Sequence, residues 1–350
     1  MIGIEKIKVL IVDDSAVVRK ILTKEIGADK EIEIVGSAPD PYIARDKIVR
    51  LKPDVILLDI EMPRMDGITF LKKLMKSYPI RVIIVSSLAG NNSDAAVKAV
   101  EYGALDVVRK PGPSYTVQDM SEQLIEKIKH VAKVPEYKLL RTKENIVNGS
   151  KPMRESTKPD SITTTNKIIA VGASTGGTEA IKEVISRLPI NTPPVIIVQH
   201  MPKYFTKAFA ERMDDLCTVK VKEAEEMEIL APGKVLIAPG DIHSEIRRSG
   251  AVYHVKLIDG ERVNHHKPSI DTLFHSVAKH AGKNSVGVLL TGMGKDGAEG
   301  MAEMKKAGAY TIAQNEESCI VFGMPREAIK LNCVDKVAHL NDIASYMISN

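Results

Sequence analysis

The stretch Ile168-Ile169-Ala170-Val171-Gly172-Ala173-Ser174-Thr175-Gly176-Gly177 runs from a short, apolar, partly β-branched segment into a serine set among glycines. Beyond it, Ala180, Ile181, Val184, Ile185 and Leu188 recur at helical spacing within Thr178 to Leu188, so the order is strand, glycine turn, helix. Such a unit belongs in a parallel α/β sheet. The glycines permit a tight turn, and the unpaired N–H groups of the helix's first turn would face any anion formed beside the serine oxygen. Ser174 is therefore the candidate nucleophile. The pattern Gly172-x-Ser174-x-Gly176 fits a nucleophile elbow, but a phosphate-binding turn uses similar letters. Partner residues have to decide.

A serine hydroxyl needs an imidazole to take its proton and a carboxylate to orient that imidazole. In an open parallel sheet the carboxyl ends of the strands share one edge, so residues that follow apolar runs can meet there. His200 follows Pro194 to Gln199, the next apolar run after the Ser174 helix, and is the foremost base. His243, beyond Val235-Leu236-Ile237, is the rival. His130 and His339 sit in polar helical surroundings, His275 and His280 on an amphipathic helix, and His265-His266 in a charged loop; these read as solvated or packing residues. For the acid, Asp296 follows Val286 to Leu290 and the loop Thr291-Gly292-Met293-Gly294-Lys295, with Asp241 and Asp271 also open. Asp296 could equally serve only as a helix-start residue. The glycines around Met293 would let a backbone N–H approach a reacting carbonyl.

Working back to the N-terminus, Lys8–Val12, Ile32–Val35, Val55–Leu58, Val82–Val85 and Leu105–Val108 alternate with helical segments, the last spanning about Met120 to Val131. Five βα units predict a doubly wound sheet. Asp13 and Asp14 follow the first strand and Asp59 the third, so the same edge rule gathers three carboxylates. Two such charges about 4 Å apart repel by roughly 4 kcal/mol at an effective dielectric of 20, so the cluster calls for a cation. Mg²⁺, which takes carboxylates together with phosphate oxygens, suits it and points to phosphoryl chemistry. Lys110 after the fifth strand and Ser86 after the fourth supply a cation and a hydroxyl for a phosphate.

With 350 residues, two domains are expected. Val134 to Asn166 is rich in Lys, Glu, Ser, Thr and Pro and reads as a linker. The formal net charge of +4 is spread out, and no basic helix or aromatic-laced basic strip marks a nucleic-acid partner. No apolar run approaches membrane-spanning length and no signal-peptide pattern opens the chain, so neither membrane insertion nor export is expected, and the expected location is cytoplasmic. Cys217, Cys319 and Cys333 lack metal-ligand spacing, and Met301 and Met304 read as core fillers.

Asp13-Asp14, Leu57-Leu58-Asp59-Ile60-Glu61-Met62-Pro63, Ser86 and Lys110-Pro111 resemble the receiver domain of bacterial response regulators. The resemblance implies that Asp59 accepts a phosphoryl group from a histidine kinase, with Mg²⁺ held by Asp14, Asp59 and the backbone of Glu61, and Asp13 acting through a water. Val107 stands where receivers often carry an aromatic, so no aromatic switch is expected there. A receiver followed by Gly172 to Gly177, Gln199-His200-Met201-Pro202 and Thr291 to Gly297 is similar, over nearly the whole chain, to the chemotaxis response-regulator protein-glutamate methylesterase family. That likeness implies a Ser174-His200-Asp296 triad, assisted by Thr175 and the Met293 backbone N–H. The implied reaction hydrolyses glutamyl methyl esters on methyl-accepting chemoreceptors and deamidates certain glutamines, without a cofactor and under control of Asp59 phosphorylation by a chemotaxis histidine kinase. The expected fold is a flavodoxin-like (βα)5 receiver over 5–132, a linker over 133–165 and a doubly wound α/β esterase domain with a mostly parallel sheet over 166–350. The alternative is a response regulator whose output domain binds a nucleotide or a partner without catalysis.

Overall fold

In the N-terminal half, strands β1 (Ile7–Val12), β2 (Ile32–Ala38), β3 (Val55–Leu58), β4 (Arg81–Ser86) and β5 (Asp106–Arg109) alternate with helices α1 (Ala16–Gly27), α2 (Pro41–Leu51), α3 (Gly67–Ser77), α4 (Asn92–Glu101) and α5 (Val117–Val131). The computed structural model describes residues 5–87, 92–111, 116–139 and 167–349, and the chain divides into two units, Met1–Ser150 and Lys151–Asn350. Helix starts are set by side chains that accept first-turn N–H groups: Ser15 for α1, Asp40 for α2, Asp66 for α3, and a Thr116–Asp119 capping box for α5. All five strands run parallel in the order β2-β1-β3-β4-β5. Val55 to Leu58 is buried throughout, as a strand covered by helices on both faces must be. The direction of strand addition reverses between β1 and β3, which is where a crevice opens at the carboxyl edge.

The second unit contains β6 (Ile168–Ala173), α6 (Gly177–Ile185), β7 (Val195–Gln199), α7 (Phe205–Leu216), β8 (Lys220–Glu223) and β9 (Lys234–Ile237). A hairpin, β10 (His243–Ser249) and β11 (Val252–Ile258), leads to α8 (Ile270–His280). Then come β12 (Ser285–Leu289), α9 (Ala298–Lys306), β13 (Tyr310–Gln314), α10 (Met324–Lys330), β14 (Lys336–Ala338) and α11 (Leu340–Ser349). Seven strands form one parallel sheet in the order β14-β13-β12-β6-β7-β9-β8. The β10–β11 hairpin is antiparallel and separate. It packs Ile246, Tyr253 and Val255 into a core shared with Ile270, Phe274 and Val277 of α8, and burying each such side chain contributes about 1.5–3 kcal/mol. The architecture is thus two doubly wound α/β units, the second with a parallel sheet and a separate antiparallel hairpin.

Strand β6 lies in the middle of its sheet, with β7 on one side and β12 on the other. The order of addition reverses between β6 and β12, which puts Ser174 at the kind of switch point where open α/β sheets bind ligands. Most of the stretch read as linker, 140–166, lies outside the described residues. Of the remainder, Val134 and Leu139 are buried, and Arg81 donates two hydrogen bonds to the Val134 carbonyl. No helix among the described residues is long and apolar enough to cross a membrane.

Candidate active site

Ser174 lies one residue beyond β6, His200 one residue beyond β7, and Asp296 in the loop between β12 and α9. The sheet brings the three together. The Ser174 Oγ lies 3.1 Å from His200 Nδ1, and His200 Nε2 lies 2.8 Å from Asp296 Oδ2. An ionised carboxylate only accepts, so Nε2 carries the ring proton and Nδ1 is left to accept from the serine hydroxyl. Ser174 is 4% exposed, and the His200 side chain 5%, so the exchange is screened from bulk water. Gln199 Nε2 donates to the Ser174 carbonyl at 2.9 Å, tying the ends of β6 and β7 together.

Asp296 does not cap its own helix, which begins with Gly297 as N-cap. It accepts instead from the start of α8: Ile270 N at 2.7 Å and Asp271 N at 3.2 Å, with Ser269 Oγ at 2.7 Å. Burial pushes this carboxyl up, but hydrogen bonds and charge from His200, with Asn264 and Ile270, outweigh it and hold Asp296 well below the usual carboxylate range. The acid stays ionised beside the imidazole. Asp271 returns the favour by accepting from Gly300 N of α9 at 2.7 Å; burial first, then the charge of Asp296, raises it to about 6. The two helices cap one another crosswise.

His243, the rival base, has neither nitrogen directed at Ser174. Its Nδ1 accepts from Ser269 N at 3.1 Å and its Nε2 donates to the Glu261 carbonyl at 2.8 Å. It anchors the N-cap residue of α8 and so supports Asp296 from behind. Asp241, the other carboxylate left open by spacing, is exposed and in left-handed backbone at φ 62°.

Two contributors come from the loop between β11 and α8, whose charged sequence reads as solvated or packing. Val263 and His266 exchange both backbone hydrogen bonds, at 3.1 and 2.9 Å, around Asn264 (φ 51°) and His265 (φ 67°). A two-residue turn with both central residues left-handed is the tight hairpin form, in which Asn is favoured. From its tip, Asn264 Nδ2 donates to Asp271 Oδ2 at 2.7 Å and Asp296 Oδ1 at 3.0 Å. The His266 ring stacks on His200, centroids 3.7 Å apart and planes within 14°. A Val-Asn-His-His sequence can signal such a turn, but nothing in its periodicity points to the site.

The loop carrying Met293 is pinned to Ser174 by backbone bonds. Ser174 N donates to the Thr291 carbonyl at 3.0 Å, and Gly292 O accepts from Gly323 and Met324 at 3.0 and 2.9 Å. The Thr291 hydroxyl lies 3.1 Å from the Thr175 carbonyl and accepts from Val321 N at 2.9 Å. A Cβ on Gly292 would stand 2.7 Å from that of Ser174, so only glycine lets the loop pass this close. Thr175 and Met293 are both buried, flanking the serine along the chain and through this loop.

In the N-terminal unit, ligand oxygens of Asp13, Asp14 and Asp59 lie within 4.8 Å of one another. Lys110 Nζ reaches Asp59 Oδ2 at 2.6 Å and Asp13 Oδ2 at 2.8 Å. Burial, helped by the charge of Asp13 and only partly offset by Lys110, raises Asp59 to about 6. Ser86 Oγ is fully buried without a hydrogen-bond partner, a donor held ready for an anion. The Glu61 side chain accepts from Ser87 Oγ at 2.9 Å. Three crowded acids beside one lysine and an unspent hydroxyl fit a divalent cation together with a phosphoryl group. Val107 is a buried aliphatic, with no aromatic ring at that position.

Residues 169–347 match the CheB methylesterase family and residues 9–122 the response regulator receiver domain. The chain is 55% identical over 345 residues to protein-glutamate methylesterase/protein-glutamine glutaminase 2 of Syntrophus aciditrophicus (strain SB), covering 98% of each. It is 51% identical over 348 residues to the protein-glutamate methylesterase/protein-glutamine glutaminase of Salmonella typhi, covering 98% of this chain and 97% of that one. The crystal structure of the Thermotoga maritima CheB methylesterase catalytic domain is similar at 38% identity and a TM-score of 0.51, covering 52% of this chain and 97% of that one. The likeness read from the motifs is borne out at full length, and the chain belongs to the CheB methylesterase family, with a response regulator receiver domain ahead of its methylesterase domain.

Proposed function

We propose that this chain hydrolyses glutamyl methyl esters on methyl-accepting chemoreceptors and deamidates certain of their glutamines, using Ser174, His200 and Asp296. The observation that carries the reading is the pair of hydrogen bonds on His200, one to an alcohol and one to a buried carboxylate. Ser174 Oγ adds to the ester carbonyl while His200 Nδ1 takes its proton. Backbone N–H groups of the Thr175 and Met293 segments receive the oxyanion. Collapse expels methoxide, which leaves as methanol with the proton from His200. Water then adds to the acyl-serine, His200 takes its proton and returns it to Ser174, and the glutamate carboxylate is released. For a glutamine substrate the first leaving group is ammonia. Asp296 keeps the proton on Nε2 and stabilises the imidazolium formed in each half. No cofactor enters the reaction as drawn.

At the N-terminal site the Asp59 carboxylate attacks the phosphoryl group presented by a histidine kinase, forming an acyl phosphate and freeing the kinase imidazole. Asp14, Asp59 and the Glu61 backbone would hold Mg²⁺, which when bound offsets the charge of the transferring phosphoryl group. Asp13 contributes through a water, and Lys110 and Ser86 receive phosphoryl oxygens. A kinase as phosphoryl donor and receptor glutamates as substrates fit a cytoplasmic reaction.

Methanol release from methylated receptor by Ser174→Ala tests the esterase reading. The expected loss in kcat is about 10⁴- to 10⁶-fold, the scale of removing a triad nucleophile. A loss of less than tenfold in a folded variant removes Ser174 from the chemistry.

A further inference from the structure

Two hydrogen bonds on opposite nitrogens fix an imidazole within its own plane but leave it free to rock about the line joining them. His200 is held in this way between Ser174 and Asp296. The two nitrogens are 1,3-related in the ring, so their in-plane directions diverge from that line; rocking would swing the Nδ1 lone pair away from the serine hydroxyl, and hydrogen bonds weaken steeply off axis. We propose that His266 is a positioning residue for the esterase: its ring is a flat plate against one face of His200 that stops this rocking and keeps water off the base. The inference rests on the reading of Ser174, His200 and Asp296 given above.

Three observations support it. The rings are 3.7 Å apart and within 14° of parallel, so contact extends over the whole face. The His200 side chain is only 5% exposed, although it follows a strand at an open sheet edge. The plate is itself held in place: His266 closes a tight turn through backbone bonds in both directions with Val263, and Asn264 in that turn is tied to both Asp296 and Asp271. The same short hairpin therefore sets the acid and backs the base.

Because the proposed role depends on a flat face rather than on a titrating nitrogen, a phenyl ring can perform it. In the full chain, His266→Ala is expected to lower kcat for methanol release by about tenfold with KM changed less than twofold, since His266 is assigned no contact with substrate. His266→Phe is expected to recover kcat to within about threefold of the parent. Aromatic stacking of this kind has a magnitude that corresponds to such factors. Melting curves by circular dichroism establish that both variants are folded, and Ser174→Ala serves as the reference for lost chemistry. If Ser174→Ala is inactive while His266→Ala turns over like the parent, or if Phe is as slow as Ala, the positioning role is wrong and the esterase reading stands. A rise in KM alone also overturns it, because it would make His266 a substrate contact. If Ser174→Ala retains full activity, the underlying reading has failed instead.

Discussion

His243 and His200 are both imidazoles that follow apolar strands, and what separates them is the partner at each nitrogen. His200 meets an alcohol and a carboxylate; His243 meets a backbone N–H and a backbone carbonyl, which use up both nitrogens in holding the chain. Spacing alone could not make that distinction, because it shows where a residue leaves a strand and not which way its ring turns. Asp59 and Asp296 form a similar contrast. Both are buried acids beside a cationic or proton-donating partner, yet burial wins at Asp59 and raises it to about 6, while hydrogen bonds win at Asp296 and lower it. A carboxyl whose folded pKa is raised stabilises the fold fully below its unfolded pKa and loses that contribution as pH rises through the folded value. Without Mg²⁺, stability of the N-terminal unit is therefore expected to fall between about pH 4 and 6 through this group. Asp59→Asn should flatten that part of the curve, and Mg²⁺ should counter the loss by favouring the ionised form. Thermal midpoints measured with chelator and with Mg²⁺ across this range check it; an equal slope in Asp59→Asn would refute the assignment.

At the scale of elements, the acid depends on α8 more than on the helix that follows it. The start of α8 reaches Asp296 because β6 presents Gly172 beneath Ile270. A Cβ there would lie 2.3 Å from Ile270 Cγ2. Gly172→Ala should push the start of α8 outward, costing about 1–3 kcal/mol as overpacking and lengthening the bonds from Ile270 and Asp271 to Asp296. Its kcat is expected to fall while KM holds, and denaturant unfolding should show the loss of stability; parental values for both would mean that α8 does not set the acid. Strands and helices of this kind were legible in the chain because Ile168 to Val171 or Val195 to Val198 are apolar throughout and helices announce themselves by spacing. Strand β8 was not, since Lys220-Val221-Lys222-Glu223 buries only Val221 fully at the edge of the sheet, and charged edge strands are how proteins avoid unwanted pairing. Asn264 and His266 escaped for a different reason. A turn of two residues has no period to detect, and its contacts with Asp296 and His200 are made far along the sequence.

Across the whole molecule, the same topological rule operates twice. In each sheet the candidate site residues gather where strand addition changes direction: Asp13 and Asp59 beyond β1 and β3, Ser174 and Asp296 beyond β6 and β12. That is why residues following apolar strands are legible as candidates for two sites, although the choice of His200 over His243 and of Asp296 over Asp241 rests on the family resemblance. What a strand-end rule leaves open is the communication between a phosphorylated Asp59 and Ser174. Phosphorylation is expected to raise the esterase rate, with Asp59→Asn unresponsive to phosphodonor but still active at the basal rate; equal rates for phosphorylated parent and Asp59→Asn would disconnect the two activities.

The central place of β6 has a further consequence for biosynthesis. A nascent chain that has left the ribosome as far as residue 200 already holds the alcohol and the imidazole, but one edge of β6 has no neighbour until Ser285 to Leu289 emerge and pair with Ile168 to Gly172. Only then can Asp296 arrive. A polypeptide that ends before Ser285 is therefore expected to lack both the second neighbour of β6 and the carboxylate that meets His200.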